Sequence, residues 1–335
     1  MKEHDFESKN KEDWRKYDAT LDLLEGGKHD AVDVSKVPAE VRARCLDLSL
    51  ARYRLYGTRM CEYLNHQVTR GHNLVAKSES GMREKILHFF VEGFPQAMRR
   101  EWKLLVVCWL FFLVPFFAIY LSYQYDAEWV YSLLGETDRQ NMNEWYGKNS
   151  TGSPRDEFGS NFQMFGHYIN NNIGIDLLII AGGALAGVGS LFIILSNGLQ
   201  MGAALAYVVN EGSAERLLSF VSGHAPYELL GMIVAAMAGM KIGLAVIRPG
   251  QYSRGKALME SGKEGMPLIV GACVLTFMAA IIEAFWSAEQ NPVELKYWVG
   301  YIGWFLLAVY FIFTGRNSVR KSVISEFSEF SEFKK

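Results

Sequence analysis

Long apolar runs alternate with polar segments after residue 103. The runs cover residues 104–123, 173–195, 199–211, 227–247, 267–286 and 298–314. A helix needs about 20 apolar residues, at about 1.5 Å each, to cross the hydrocarbon core of a bilayer. The run 199–211 is short for a full crossing, and the other five approach the required length. The pattern therefore predicts an all-α bundle of six transmembrane helices over 101–316.

The first 100 residues are charged and show the period of amphipathic helices. Trp14, Tyr17 and Leu21 recur at helical spacing, which predicts a first helix. A second helix is expected over about 35–77, giving a helical hairpin. Aromatic and basic residues mix in 89–100, as in segments that lie along a membrane interface. We expect 1–100 to form a cytoplasmic helical domain and 317–335 a cytoplasmic tail.

Basic residues near the ends of the apolar runs predict the orientation. They gather at Arg99, Arg100 and Lys103, at Arg248, Arg254, Lys256 and Lys263, and at Arg316, Arg320 and Lys321. The polar loop 124–167 holds three basic residues against seven acidic ones. We therefore expect both termini in the cytoplasm and this loop outside it. An Asn197–Gly198 turn is expected to link the second and third crossings.

Composition excludes several classes of protein. The net charge is −2 and the mean hydropathy +0.04, and no basic stretch interleaved with aromatics indicates nucleic-acid binding. The four cysteines are widely spaced and form no CxxC pair, so they indicate neither a zinc site nor a disulfide framework. The sequence lacks the P-loop, GxSxG and HExxH motifs. We expect no cofactor.

Small residues at fourfold spacing predict close helix packing. They are Gly183 and Gly187 in the second run and Gly231, Ala235, Gly239 and Gly243 in the fourth. In lipid, helices associate where small residues let their backbones approach. This stripe is expected to contact another helix or a second copy of the chain, so a homodimer is predicted.

Several polar residues lie at one expected depth, near the outer ends of the crossings. They are Asn171, Asn172, Asp176, His224, Glu228 and Glu283. An ionisable side chain costs about 2.5–3.5 kcal/mol at the centre of a membrane helix, so the group requires an explanation. A structural hydrogen-bond network is favoured. A transport or proton-relay site is the second interpretation, and a metal site of His224, Glu228 and Glu283 is the third.

Lys241 lies inside the fourth run. Its four-carbon stem is expected to carry the ammonium to the inner interface. An ion pair is the alternative.

Seven motifs, taken in order, resemble the stage II sporulation protein M family of bacterial membrane proteins. They are YLNHQVTRGHNLVAK (63–77), FFVEGFPQAMRR (89–100), NNNIGIDLLIIAGG (170–183), SNGLQMG (196–202), GHAPYEL (223–229), RPGQYSR (248–254) and AAIIEAF (279–285). The resemblance extends over about 50–290 and departs at Ala225, where the family usually has Gly. It points to Asn171, Asn197, His224, Glu228, Arg254 and Glu283 as family positions.

The resemblance also implies a role at the cell envelope. In endospore formers, members of this family look like membrane scaffolds that hold cell-wall hydrolases during engulfment. In other bacteria, related proteins look like partners of MoxR-class ATPases and von Willebrand A proteins. We expect a non-enzymatic scaffold of the inner membrane. A transporter that uses outer-leaflet carboxylates is the alternative, and an intramembrane metal-dependent hydrolase is third.

Overall fold

The described part of the chain is helical, as predicted. The computed structural model describes residues 3–26, 32–33, 36–78 and 82–316, where the only extended pairing is one bridge between Gly147 and Gly212. The predicted tail, 317–335, lies outside the described residues. The chain divides into two units, Met1–Leu87 and His88–Lys335. The all-α fold with a membrane helix bundle is confirmed.

The first unit contains three long helices and the start of a fourth. They are α1 (Glu3–Glu25), α2 (Val37–Tyr53), α3 (Thr58–Ser78) and α4 (Met82–His88). Trp14, Leu48 and Leu64 are buried together in its core. The side-chain amide of Gln67 donates to the Trp14 carbonyl at 2.9 Å, so a buried amide helps to hold α3 against α1.

The single helix predicted over 35–77 is wrong. The chain turns between α2 and α3, where Leu55 has a φ of 53° and the Gly57 N–H donates to Glu3 Oε2 at 3.1 Å. The turn folds α3 back onto α2, so the apolar stripes of both helices are buried in one core. Ser35, the expected start of that helix, lies outside the described residues.

The second unit contains eleven further α-helices in its described part. They are α5 (Phe94–Arg100), α6 (Trp102–Ser122), α7 (Glu128–Leu133), α8 (Glu136–Tyr146), α9 (Asn161–Tyr168), α10 (Gly174–Gly182), α11 (Val188–Glu211), α12 (Ala214–Ser222), α13 (Ala225–Ile247), α14 (Arg254–Ile282) and α15 (Val293–Phe313). Wider π-helical turns cover Phe89–Gly93, Ile169–Ile173 and Glu283–Ser287, and a 3-10 turn covers Pro154–Glu157. Among the described residues, α6, α11, α13, α14 with its π turn, and α15 are long and apolar enough to cross a membrane.

The predicted second and third crossings are misplaced. Helical structure runs without interruption over 161–182, through α9, the π turn and α10. It then breaks at 183–187, where Ala186 and Gly187 have φ values of 55° and 83°. Such left-handed backbone ends a helix at low cost only in glycine. Because α11 passes straight through Asn197 and Gly198, the predicted turn there is wrong.

With the helix break at 183–187, six helical segments of the described chain run in alternating directions through the bundle. They are α6, 161–182, α11, α13, α14 and α15. A Cβ on Gly198 would meet the Phe112 carbonyl, and one on Gly202 the Phe116 carbonyl, so α11 runs parallel to α6. The segment 161–182 returns between them. Hydropathy missed this segment because its first half carries polar residues such as Asn170. The predicted crossing 173–195 therefore combined the end of one helix with the start of the next.

Residues 88–100 belong to the bundle rather than to the first unit. Phe94 and Met98 are buried in the bundle core, and the Arg99 guanidinium donates to the Phe311 carbonyl at 2.7 Å. We had expected an interfacial helix inside a domain ending at residue 100. The aromatic side chains instead pack against α14 and α15, because Gly271 leaves room for the Phe94 ring.

The polar segment predicted as a loop over 124–167 folds into an ordered cap, defined here as α7, α8 and the turn Pro154–Glu157. Val130, Leu134 and Tyr146 of the cap are buried against Tyr207 of α11. The Arg216 guanidinium of α12 donates to the carbonyls of Ser150 and Gly152. A further hydrogen bond joins Tyr207 to Asn143 of α8 at 3.1 Å. The cap is thus attached to one end of the bundle.

Small residues bring α10, α11, α13 and α14 together in the bundle. A Cβ added to Gly183 would meet the backbone of Gly239, and one added to Gly243 would meet that of Gly187. A Cβ on Gly231 would meet Thr276 of α14, and Ala235 is fully buried. The stripe packs within the chain, which leaves it no free face for a second copy. The homodimer stays a prediction.

We expect Gly239→Ala to lower the stability of the bundle. The new methyl group would lie 2.8 Å from the Ile179 carbonyl oxygen and would also meet Ser190 Oγ. Overpacking of this kind costs about 1–3 kcal/mol. Thermal unfolding of purified protein in detergent measures the effect. Gly174→Ala is the matched control, since a Cβ there meets nothing within 4 Å. Equal melting temperatures for the two variants would contradict the close contact.

Candidate functional site

Three ionisable side chains meet where α13 begins and α14 ends. His224 directly precedes α13, Glu228 lies in its first turn, and Glu283 begins the π turn after α14. His224 Nε2 lies 3.6 Å from Glu228 Oε2 and 3.9 Å from Glu283 Oε1. One ligand atom from each residue lies within 4.8 Å of the others. We call these three residues the polar centre.

The π turn Glu283–Ser287 brings a second polar residue to the same histidine. Ser287 Oγ lies 3.1 Å from His224 Nδ1, so the two ring nitrogens face different partners. A π turn changes the direction in which a helix presents its side chains, and such turns are frequent at functional sites. Here one turn supplies both Glu283 and Ser287 to the imidazole.

Aromatic side chains cover His224 and Glu283, whereas the Glu228 side chain is 20% exposed. His224 is 3% exposed and Glu283 6% exposed. The Phe220 ring packs edge-on against the imidazole with centroids 5.4 Å apart. The Tyr168 hydroxyl neighbours the Glu283 carboxyl. Burial raises the pKa of Tyr146 in the cap, so this phenol above the centre stays neutral.

Asp176 extends the polar centre along α10. Its carboxylate accepts a hydrogen bond from Thr276 Oγ1 of α14, and the residue is 2% exposed. Asp176 and Glu228 both line a small cavity of about 10 Å³, together with Asn172. That volume is about what a single water molecule requires. The carboxylates of α10 and α13 are therefore separated by one small cavity.

A larger cavity lies between the cap and the polar centre. It has a volume of about 210 Å³ and is lined by Arg216, Ser287 and Lys296, among others. Lys296 is 8% exposed and donates to the Ser287 carbonyl at 2.8 Å. Ser287 thus lines this cavity and also contacts the His224 imidazole.

The structure brings together only part of the predicted set. Asn172 is buried beside the centre and accepts a hydrogen bond from Asn171 at 2.8 Å. Asn197 instead lies within α11, where its amide donates to the Ile193 carbonyl at 2.9 Å. Gly198 packs against α6. Arg254 is the exposed first residue of α14, at the opposite end of that helix from Glu283.

Lys241 forms an ion pair instead of reaching the interface alone. Its Nζ lies 2.6 Å from Glu101 Oε1 and 3.4 Å from Glu264 Oε2. The side chains of Lys241 and Glu101 are 14% and 19% exposed, so the pair is largely buried. The structure therefore shows the ion pair that the sequence offers as the alternative, because Glu101, 140 residues earlier in the chain, supplies a partner.

Sequence analysis missed Ser287, Thr276 and Lys296. The available signal for Ser287 was its position four residues after Glu283, the spacing that also joins His224 to Glu228. Thr276 looks like an ordinary residue of an apolar helix. Lys296 lies near the start of α15, but the polar sequence around it predicts a link between two crossings, so its burial could not be expected from hydropathy.

Comparison with known families gives the bundle an identity. The model of the family described as stage II sporulation protein M matches residues 108–288. The chain belongs to the stage II sporulation protein M family. The match includes Asp176 and all three residues of the polar centre, and it confirms the resemblance read from the motifs.

The N-terminal unit matches a separate family, a domain of unknown function, over residues 4–77. No curated protein and no solved structure matches the chain. The stage II sporulation protein M match therefore supports a membrane role and assigns no reaction.

We expect Thr276→Val to destabilise the bundle, because it leaves the buried Asp176 carboxyl without its hydroxyl donor. Losing one partner of a buried polar group costs about 1–3 kcal/mol. Thr276→Ser is the matched control, since it keeps the hydroxyl. Thermal unfolding in detergent compares the two. A valine variant as stable as the serine variant would show that the Thr276–Asp176 hydrogen bond contributes nothing.

Proposed function

We propose that the protein is a non-enzymatic scaffold of the bacterial inner membrane that organises partners at the cell envelope. The observation that carries the proposal is the ordered cap. A scaffold needs a surface held in a fixed position relative to the bilayer. The buried side chains of Val130 and Tyr146, and the hydrogen bonds from Arg216, hold the cap against the bundle in this way.

The packing beneath the polar centre favours a holding role over transport. Ile179, Ile233 and Met237 lie deeper in the bundle and are each at most 1% exposed. Beyond them the backbones of Gly183 and Gly239 are in contact. A transporter that used the carboxylates would have to separate these packed surfaces to admit water. A scaffold needs no such movement.

The distribution of charged and aromatic residues supports the expected orientation. Basic residues flank the bundle end that holds the start of α6 and the end of α15, whereas acidic residues dominate the cap. Trp102 at the first end and Trp129 and Trp298 at the cap end are each more than half exposed. Tryptophan is enriched at both membrane interfaces. The cap would then face outward and both termini the cytoplasm.

The partners we propose follow from the family resemblance. A cap on the outer face suits cell-wall hydrolases. The N-terminal unit, on the cytoplasmic side, would suit a MoxR-class ATPase and von Willebrand A proteins. A homodimer within the lipid bilayer is also proposed.

The orientation predicts opposite labelling at the two ends of the bundle. Glu136→Cys in the cap and Lys256→Cys near the start of α14 replace exposed residues, in a chain whose four native cysteines are replaced by alanine. In intact spheroplasts, a membrane-impermeant maleimide should label the first variant and spare the second. Both should react after the membrane is permeabilised. The reverse pattern would overturn the orientation.

The scaffold proposal predicts that the Glu228→Gln and Glu283→Gln variants still bind the same partner proteins. Glutamine retains hydrogen bonding but loses the charge. We expect each variant to insert and to co-purify with cell-wall hydrolases, or with the ATPase and von Willebrand A proteins, in wild-type amounts. Quantitative mass spectrometry of the purified complexes measures this.

Glu211→Gln is the matched control for that measurement, because Glu211 accepts a hydrogen bond from Tyr123 outside the polar centre. Loss of the partners in both centre variants, with normal insertion and retention in the control, would contradict the scaffold proposal. The ionised carboxylates would then be needed for the function itself.

A further inference from the structure

We propose that His224, Glu228 and Glu283 bind one divalent transition metal ion, preferably zinc. The site would join the start of α13 to the π turn that follows α14. This inference goes beyond the scaffold role and does not depend on it.

The spacing of the three side chains suits a metal ion better than direct hydrogen bonds. A charge-assisted hydrogen bond from imidazole to carboxylate is about 2.7–2.9 Å long. The distances from His224 Nε2 to Glu228 and Glu283 are 3.6 and 3.9 Å. Tetrahedral ligands that each lie about 2.0–2.2 Å from zinc stand about 3.4 Å apart. The two distances from the histidine are close to this value, and since all three ligand atoms lie within 4.8 Å of one another, the side chains would have to contract onto an ion.

A cation would also balance the charges of the polar centre. The buried carboxyl of Glu283 and the partly buried carboxyl of Glu228 face one imidazole, and among the described residues no lysine or arginine lies within 4 Å of either carboxyl. Buried charges in proteins are normally paired or coordinate a metal. A divalent cation would balance Glu228 and Glu283 together with a neutral His224.

One atom of the centre lacks any partner. Glu283 is 6% exposed, and its Oε2 makes no hydrogen bond by geometry, while the Tyr168 hydroxyl lies beside the same carboxyl. An unsatisfied buried polar atom is costly and calls for a missing ligand. A metal ion bound by this carboxylate would satisfy it.

The imidazole is already oriented as a ligand. Ser287 Oγ lies 3.1 Å from Nδ1. In the tautomer protonated at Nδ1, this nitrogen would donate to the hydroxyl and the Nε2 lone pair would face the carboxylates. Metal-binding histidines almost always give their second ring nitrogen such a partner. Ser287 is therefore a positioning residue for the metal site.

The ligand set favours zinc. One imidazole nitrogen with carboxylate oxygens suits zinc and its neighbours, whereas magnesium and calcium prefer oxygen ligands alone. Three protein ligands leave a fourth position open. The space of about 10 Å³ beside Glu228 has room for about one water molecule next to this ligand.

The experiment measures metal in the full-length protein, purified in detergent without chelator. After equilibration with zinc, manganese or magnesium and removal of free ions, elemental analysis gives the stoichiometry. We expect about one zinc per chain, less manganese, and no magnesium. His224→Ala and Glu283→Gln should lose the zinc. Glu211→Gln, which removes an acidic group outside the centre, should retain it.

Two further measurements keep the test decisive if a ligand variant fails to fold. Ser287→Ala should weaken zinc binding by about 10- to 100-fold, the usual effect of losing a residue that orients a ligand. X-ray absorption of the wild-type protein should show one imidazole and oxygen donors at about 2.0–2.2 Å. The proposal is overturned by folded wild-type protein that takes up no zinc, by sulfur in the zinc shell, or by folded ligand variants that keep full zinc content. Wild-type affinity in Ser287→Ala would also contradict the orienting role of Ser287.

Discussion

The backbones of α10 and α13 touch where Gly183 meets Gly239, and the chain touches α13 again at Gly187 and Gly243. Inside a bilayer, helices gain no hydrophobic free energy by associating, so they depend on close packing and on hydrogen bonds. Small residues allow both here. The left-handed backbone at Gly187 also turns the chain from α10 into α11. One glycine-rich contact thus sets the path of α10 and α11.

The polar groups lie between this glycine contact and the cap. With α10 held against α13, Asp176 reaches Thr276 on α14. The π turn that follows α14 then brings Glu283 and Ser287 to His224. The cap covers this end of the bundle. The bundle therefore combines tight apolar packing in its interior with a buried, acidic group of side chains near one end.

Local patterns in the sequence predict a large part of this arrangement. Apolar runs identify four of the five described helices that are long and apolar enough to cross a membrane, α6, α13, α14 and α15, because each is a single long helix. The i, i+4 spacing places His224 and Glu228 on one helical face. Their meeting with Glu283 follows from expected depth and alternating helix direction. Helix length and side-chain spacing can both be deduced from a short stretch of sequence.

The remaining features depend on contacts between distant parts of the chain. A polar half hides the segment 161–182 from hydropathy, so its break at 183–187 was expected at Asn197 and Gly198 instead. Lys241 could not be paired from sequence because Glu101 lies on another helix. The same holds for Thr276 and Asp176, which lie 100 residues apart.

Electron cryo-microscopy of the full chain in lipid nanodiscs tests the central claim most directly. The account predicts a helix break at 183–187 and direct backbone contact between Gly183 and Gly239, with no side chain between them. A helix that continues through 183–187, or a layer of side chains that separates α10 from α13, would contradict it.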